Sequence, residues 1–173
     1  MLREASFAEV QRLRIPAADC IMVARGRGDD DLAPDWRLLT RFKQLERQLL
    51  AAGENPTDAH NRAFSACGYP RTFHERITAD PVAMGHLKQL SQLSRHRDIY
   101  LVCYEGTARA CHRRILLRIC ERTFGAKIEL RGVEIHPPPS CPSPKIGRVW
   151  RRPGTNPRIY PGTGRDRPRR KTT

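Results

Sequence analysis

The sequence predicts an α/β fold, a three-layered domain with a mainly parallel sheet, followed by a disordered basic tail. Three observations carry that expectation. Short apolar runs, Cys20 to Val23, Ile99 to Cys103 and Ala126 to Leu130, alternate with longer stretches of helical period. Strands that alternate with helices need crossover connections, which lay the strands parallel and cover the sheet with helices. From Pro137 the pattern stops: residues 137–173 hold nine of the fourteen prolines and a net charge of +9, too little apolar surface to fold.

Taken in order, Ser6 to Arg12 reads as a short helix capped by Ser6 and ended by Ile15-Pro16, because proline disfavours helix at the residue before it. Cys20 to Val23 is the first buried strand, placing Arg25 at a strand's carboxyl end. Gly26 to Leu32 is a glycine- and aspartate-rich loop, and Pro34-Asp35 opens a long helix with Asp35 as its cap. Trp36, Leu39, Phe42, Leu45 and Leu49 recur every three or four residues as its core stripe. Arg37, Arg41, Lys43, Gln44, Arg47 and Gln48 take the opposite face, and Gly53 stops the helix.

Glu54 to Ala79 carries a helix from Thr57 to Cys67 and then loop, with His60 and His74 as partly exposed polar residues outside any site. Asp80-Pro81 is a cap followed by proline at the first helical position, opening a helix to Arg95 that buries Ala83, Met84, Leu87, Leu90 and Leu93. The strand Ile99 to Cys103 then leads through a loop, Glu105 to Ala108, into the helical run Ala110 to Phe124. With Thr107 as cap, Cys111, Ile115, Leu116, Ile119 and Cys120 face the sheet, while Arg114, Arg118 and Arg122 form a solvated stripe.

At 173 residues the chain suits one domain, residues 1–136, plus the tail. The net charge of +14 calls for an anionic partner, nucleic acid or a nucleotide before others, met by the tail and by a helix N-terminus. In the tail, Trp150, Ile159 and Tyr160 stand among arginines, a mixture suited to phosphate neutralisation with stacking. No apolar run reaches membrane-spanning length and no signal-peptide core follows Met1, so the expected location is cytoplasmic, with no membrane partner. Six cysteines are then reduced, and none forms a CxxC pair.

The chemistry concentrates at Asp98 to Arg118. Ligands of parallel α/β proteins collect beyond the strands' carboxyl ends, where the next helix offers free N–H groups and partial positive charge. There the chain places Cys103, Glu105, Cys111 and His112 as candidate catalytic residues, with Arg113, Arg109 and Arg25 as candidate ligand-binding residues. A cysteine facing a helix N-terminus and arginines is set to ionise and act as nucleophile, with His112 as acid or base and Glu105 orienting it. Three chemistries compete. Cys103-Tyr-Glu-Gly-Thr-Ala-Arg109 fits the C-x-x-G-x-x-R spacing of a cysteine-phosphatase loop, though Val102 and Ala110 stand where that loop has His and Ser or Thr. Cys103, Cys111 and His112 are soft-metal ligand types without an identified fourth ligand. Arg109, Arg113 and the helix N-terminus can instead hold a phosphate or nucleotide without turnover, as a non-catalytic nucleic-acid-binding module would.

Leu101-Val-Cys103-Tyr-Glu105 followed by Cys111-His112-Arg113 resembles the L-x-C-x-E…C-H-R signature of an uncharacterised family, domain of unknown function 488. Leu32-Ala33-Pro34 before a helix with Phe42-Lys43 is similar to a second feature of that family, so the resemblance spans Asp19 to Phe124. It implies a Rossmann-like domain with Cys103, Glu105, Cys111, His112 and Arg113 as the shared constellation and names no reaction or cofactor. The signature leaves Gly106 and Arg109 free, which weakens the phosphatase-loop reading.

Overall fold

The computed structural model describes residues 1–28, 30–133 and 135. The expected tail, residues 137–173, lies outside them. Four strands, β1 (Leu2–Ser6), β2 (Cys20–Met22), β3 (Ile99–Cys103) and β4 (Ile128–Glu129), form one all-parallel sheet in the order β2-β3-β1-β4. Leu101 and Val102 are neighbours on β3 and therefore point to opposite faces, yet both are completely buried. Helices thus cover both sides, which is the three-layered α/β arrangement.

The connections fix where a site can form. From β1 the chain runs through α1 (Phe7–Leu13) to β2, passing over β3; from β3 it runs through α6 (His112–Phe124) to β4, passing over β1 in the opposite sense. Where neighbouring strands send their connections in opposite directions, a crevice opens beyond their carboxyl ends. Here the pair is β1 and β3, in register from Leu2 beside Ile99 to Ser6 beside Cys103. Ser6 caps α1 reciprocally with Glu9, so the turn out of β1 is held tightly at the same end of the sheet.

Sequence patterning misses the central strand. Leu2-Arg-Glu-Ala-Ser6 has too few apolar residues to read as buried, and it becomes one because Glu4 finds cationic partners inside the protein. Between β2 and β3 the chain inserts four helices: α2 (Trp36–Ala51), α3 (Pro56–Ala66), α4 (Tyr69–Ala79) and α5 (Pro81–Leu93). The segment expected to be loop after Cys67 is α4. Gly68 takes a left-handed conformation, φ 70°, to turn from α3, and Pro70 falls in the first turn, where a helix tolerates proline. The strand expected over Ala126 to Leu130 shrinks to Ile128–Glu129.

Two expected core residues are outside. Trp36 is 64% exposed, because α2 buries the row Leu38, Phe42 and Glu46; Trp36 lies two residues, about 200°, around the helix from Leu38. Leu93, at the end of α5, is 46% exposed. Among the described residues, no helix is long and apolar enough to cross a membrane.

Candidate functional site

Cys103 ends β3 and Cys111 is the N-cap of α6, so the loop between them brings two thiols to the crevice. That loop is pinned from two sides. From α3, Asn61 donates through Nδ2 to the Ala108 carbonyl (3.0 Å) and accepts the Ala110 N–H (2.7 Å), while His60 Nε2 lies 2.9 Å from the Ala110 carbonyl. From α6, Arg114 donates to the carbonyls of Thr107 (3.0 Å), Arg109 (2.9 Å) and Val133 (3.1 Å).

Arg114, expected in a solvated stripe, is 1% exposed because this loop folds over the first turn of α6; Arg118 and Arg122 beyond it stay at the surface. Gly132 permits the closure, since a Cβ there would collide with the Arg114 guanidinium. Thr107 is therefore a loop residue held by Arg114, and the helix starts four residues later than expected.

Within the crevice the donors converge. Glu105 Oε2 stands 3.1 Å from Cys103 Sγ and 3.4 Å from Cys111 Sγ, and Cys111 Sγ is 3.8 Å from His112 Nδ1. His112 Nε2 donates to the Val23 carbonyl (2.8 Å), one residue beyond β2, which fixes the ring with Nδ1 towards the sulfur. Four of the expected residues are thus in mutual reach.

Their ionisation is set by the same contacts. Burial alone would raise the Cys111 thiol, but the hydrogen bond from Cys103, the neighbouring His112 and the charge of Arg113 bring it well below the ordinary value. Cys103 moves the other way, raised by its bond to Cys111, then by burial and the charges of Cys111 and Glu105. His112 is held above its usual value: burial opposes, but the Cys111 charge and hydrogen bond and the Val23 carbonyl outweigh it. These directions favour a Cys111 thiolate beside a His112 imidazolium, with the Cys103 thiol within reach of both Glu105 and Cys111. The 3.4 Å approach of Glu105 to the thiolate is a like-charge contact that His112 and Arg113 offset. Of the two candidate cysteines, these contacts shift Cys111 towards the thiolate and keep Cys103 as the donor in the pair.

The arginines separate. Arg113, expected among the ligand-binding residues, is 0% exposed: its Nε donates to Glu4 (3.2 Å), while Nη1 and Nη2 have no hydrogen-bond partner among the described residues. It acts on Cys111 through charge, from behind. Arg109 is half-buried and does not line the cavity; its carbonyl anchors Arg114. Arg25 does line it, with Nε bonded to the Pro34 carbonyl (2.7 Å) and Nη1 paired with Asp30 (3.0 Å).

The cavity holds about 270 Å³, at the small end of ligand pockets. Cys103, Glu105, Cys111 and His112 form one wall, Phe42, Phe64 and Tyr69 another, with Arg25 and Lys43 among the remaining residues. Phe64 stacks on Tyr69 at 4.4 Å, and Phe42 meets both edge-on. Burial, then the charges of Cys111, Cys103 and Glu105, hold the Tyr69 phenol well above its usual value, so it stays protonated.

His60 was set aside on sequence grounds, yet it lines this cavity fully buried, with Nδ1 2.8 Å from Glu46 Oε1. Burial would raise Glu46, but hydrogen bonds from Lys43 and His60 bring it below the usual range, so it is the carboxylate facing His60. Ala59, His60, Ala63 and Phe64 share the buried face of α3, and that spacing was the available signal. Asn61 and Glu46 had none.

The sulfurs of Cys103 and Cys111 and a ring nitrogen of His112 all lie within 4.8 Å of one another. That three-donor set suits a borderline-soft divalent ion such as zinc. A ligating histidine that donates its other N–H to a carbonyl, as His112 does to Val23, is also the usual outer-shell pattern.

These features define a parallel α/β protein with a buried thiol, imidazole and carboxylate cluster at the strand–helix junction. The chain matches the family DUF488-N3a, described as the active DUF488-N3 subclade, over residues 30–123. The match covers more than half the chain, so the protein belongs to the DUF488 family. It includes Cys103, Glu105, Cys111, His112 and Arg113 but not Glu4 of β1. No curated relative and no solved structure matches the chain.

Proposed function

We propose that the protein is a cysteine-dependent enzyme acting on an anionic, nucleotide-like substrate, with Cys111 as nucleophile. One observation carries this reading: Cys111, its thiol lowered beside His112, stands at the N-cap position of α6 and lines an aromatic-walled cavity. Cys111 Sγ attacks an electrophilic centre and forms a thio-adduct; the bond to the leaving group breaks, and His112 Nδ1–H supplies its proton. The Cys103 S–H and the free N–H groups of α6 are placed to stabilise negative charge in the transition state. Arg25 and Lys43 supply the attraction for an anion, and Phe42, Phe64 and Tyr69 suit a planar ring. The description of the matched subclade as active agrees with turnover.

Carboxymethylation by iodoacetate at about pH 6, followed by peptide mapping, tests the reading. Cys111 should react well ahead of Cys120, whose thiol burial pushes up to about 11, and a nucleoside monophosphate should protect it. If Cys111 is no faster than Cys120, or the mononucleotide gives no protection, the proposal fails. The compact Cys103, Cys111 and His112 donor set favours a second reading, a zinc centre. One equivalent of zinc in the purified protein, lost in Cys103→Ser but kept in Cys120→Ala, would replace the nucleophile with a metal.

A further inference from the structure

Two exposed aromatic residues, Tyr104 on the cavity lining and Trp36 against the cavity-lining Arg25, each have an arginine against the ring. Trp36, 64% exposed, carries the Arg25 guanidinium 5.9 Å from its ring centre. Tyr104, 56% exposed, has Arg27 at 6.0 Å and packs on Phe7 at 4.8 Å between ring centres. Arg25 and Tyr104 themselves line the cavity, so both platforms are continuous with it. Beyond Trp36 the surface of α2 forms a shallow depression with Arg37, Thr40, Arg41 and Gln44. The charge on that helix is one-sided: Arg37, Arg41, Lys43 and Arg47 are exposed, whereas its single acid, Glu46, is buried against His60.

None of this serves the core, and a large exposed indole set among arginines departs from the pattern of a packed helix face. Aromatic rings on which bases stack, interleaved with cations that neutralise phosphates, are how proteins hold unpaired nucleic-acid strands. A duplex would keep its bases stacked on each other, out of reach of both rings.

We propose that the substrate is a nucleotide within a single-stranded nucleic acid, whose neighbouring bases stack on Trp36 and Tyr104 while its backbone follows Arg25, Arg37 and Arg41. The proposal rests on the nucleotide-like substrate inferred above and extends it from a free nucleotide to a strand. It also puts nucleic-acid recognition on the folded domain, where sequence reasoning assigned it to the tail and a helix N-terminus. The occupied cavity would take one base-sized group, in keeping with its volume of about 270 Å³.

The test uses the full chain carrying Trp150→Phe, which leaves Trp36 as the only tryptophan. An oligothymidylate of about twelve nucleotides should quench Trp36 emission saturably, and a duplex of the same length should not. Trp36→Ala and Tyr104→Ala, both at exposed positions, should each weaken the oligothymidylate on the order of tenfold, read by anisotropy of a labelled strand. Duplex binding should be unchanged in both variants. Unaltered strand affinity in the double variant would overturn the proposal, because the binding would then lie elsewhere on the chain. Equal quenching by a poly-glutamate peptide would overturn it too, by giving the surface to an acidic protein partner. Protection of Cys111 by a mononucleotide is measured separately on the same preparation, so failure at the platforms is distinguishable from failure at the cavity.

Discussion

Replacing Glu4 by glutamine isolates the interaction that ties β1 to α6. The Glu4 carboxylate is 0% exposed; its Oε2 accepts from Arg113 Nε (3.2 Å) and Arg114 Nε (2.7 Å), and its Oε1 from the Arg131 N–H (2.7 Å). Glutamine retains one carbonyl oxygen and turns an NH₂ group towards a donor, leaving two enclosed guanidinium groups without their counter-charge. Arg113 suffers most, since Nη1 and Nη2 have no partner among the described residues and Nε would lose its own. Removing one partner of a buried pair costs about 3–5 kcal/mol, out of a typical total of about 5–15 kcal/mol. For a chain of 173 residues, with about 2–4 °C of Tm per kcal/mol, the melting point should fall by about 10 °C. Thermal and urea unfolding followed by circular dichroism measure this, with Asp98→Asn as control. Asp98 pairs with Arg3 at 2.9 Å and with the N-terminal amine at 3.3 Å, all partly solvated, so its loss should cost about 1 kcal/mol. If Glu4→Gln melts within about 2 °C of the parent, the carboxylate is not the buried counter-ion described here.

Two further outcomes follow from the same geometry. The Cys111 and His112 pair should shape stability against pH. The depressed Cys111 contributes stability present above the unfolded thiol value, about 8.5, and lost as pH falls through its folded value; the raised His112 contributes below about 6.5 and loses it as pH rises through its folded value. The urea midpoint should therefore rise with pH on the acid side, where Cys111 alone of the pair differs between folded and unfolded states, and flatten above about 6.5, where the His112 slope opposes it. Cys111→Ser should flatten the acid limb, and an unchanged profile in that variant would exclude the ion pair. Asn61→Ala removes both side-chain hydrogen bonds to the 108–110 backbone and should lower stability by about 1–3 kcal/mol while slowing Cys111 carboxymethylation. The two readouts moving together would place the effect in the loop, whereas a loss of stability with full thiol reactivity would mean that the loop holds its shape without α3.

Much of the architecture was legible because it rests on local signals. Asp80-Pro81 opens α5 and Asp35 caps α2, as the chain order announces, and the apolar run Ile99–Cys103 could be little other than a buried strand. The same locality made Cys103, Glu105, Cys111 and His112 visible as a group, since strand, loop and helix are contiguous in sequence. What failed was every inference that needed a partner far along the chain. Glu4 marks Leu2–Ser6 as unsuitable for a core until Arg113 and Arg114, more than a hundred residues away, neutralise it. Arg114 has the periodicity of a solvated residue, and is buried because a loop and Gly132 close over it.

The sequence by itself determined the α/β class, the strand–helix junction and the reactive residues placed there, because hydrophobic period, capping and turn chemistry act over a few residues. Only the tertiary structure decided which thiol the surroundings lower and which they raise, which arginine lends charge to the lowered one, and that His60 and Asn61 of α3 hold the loop between the two cysteines. The physical reason is that ionisation and burial depend on the sum of nearby charges and dipoles in three dimensions. Cys103 and Cys111 look alike in the chain and differ only in what the fold brings to each.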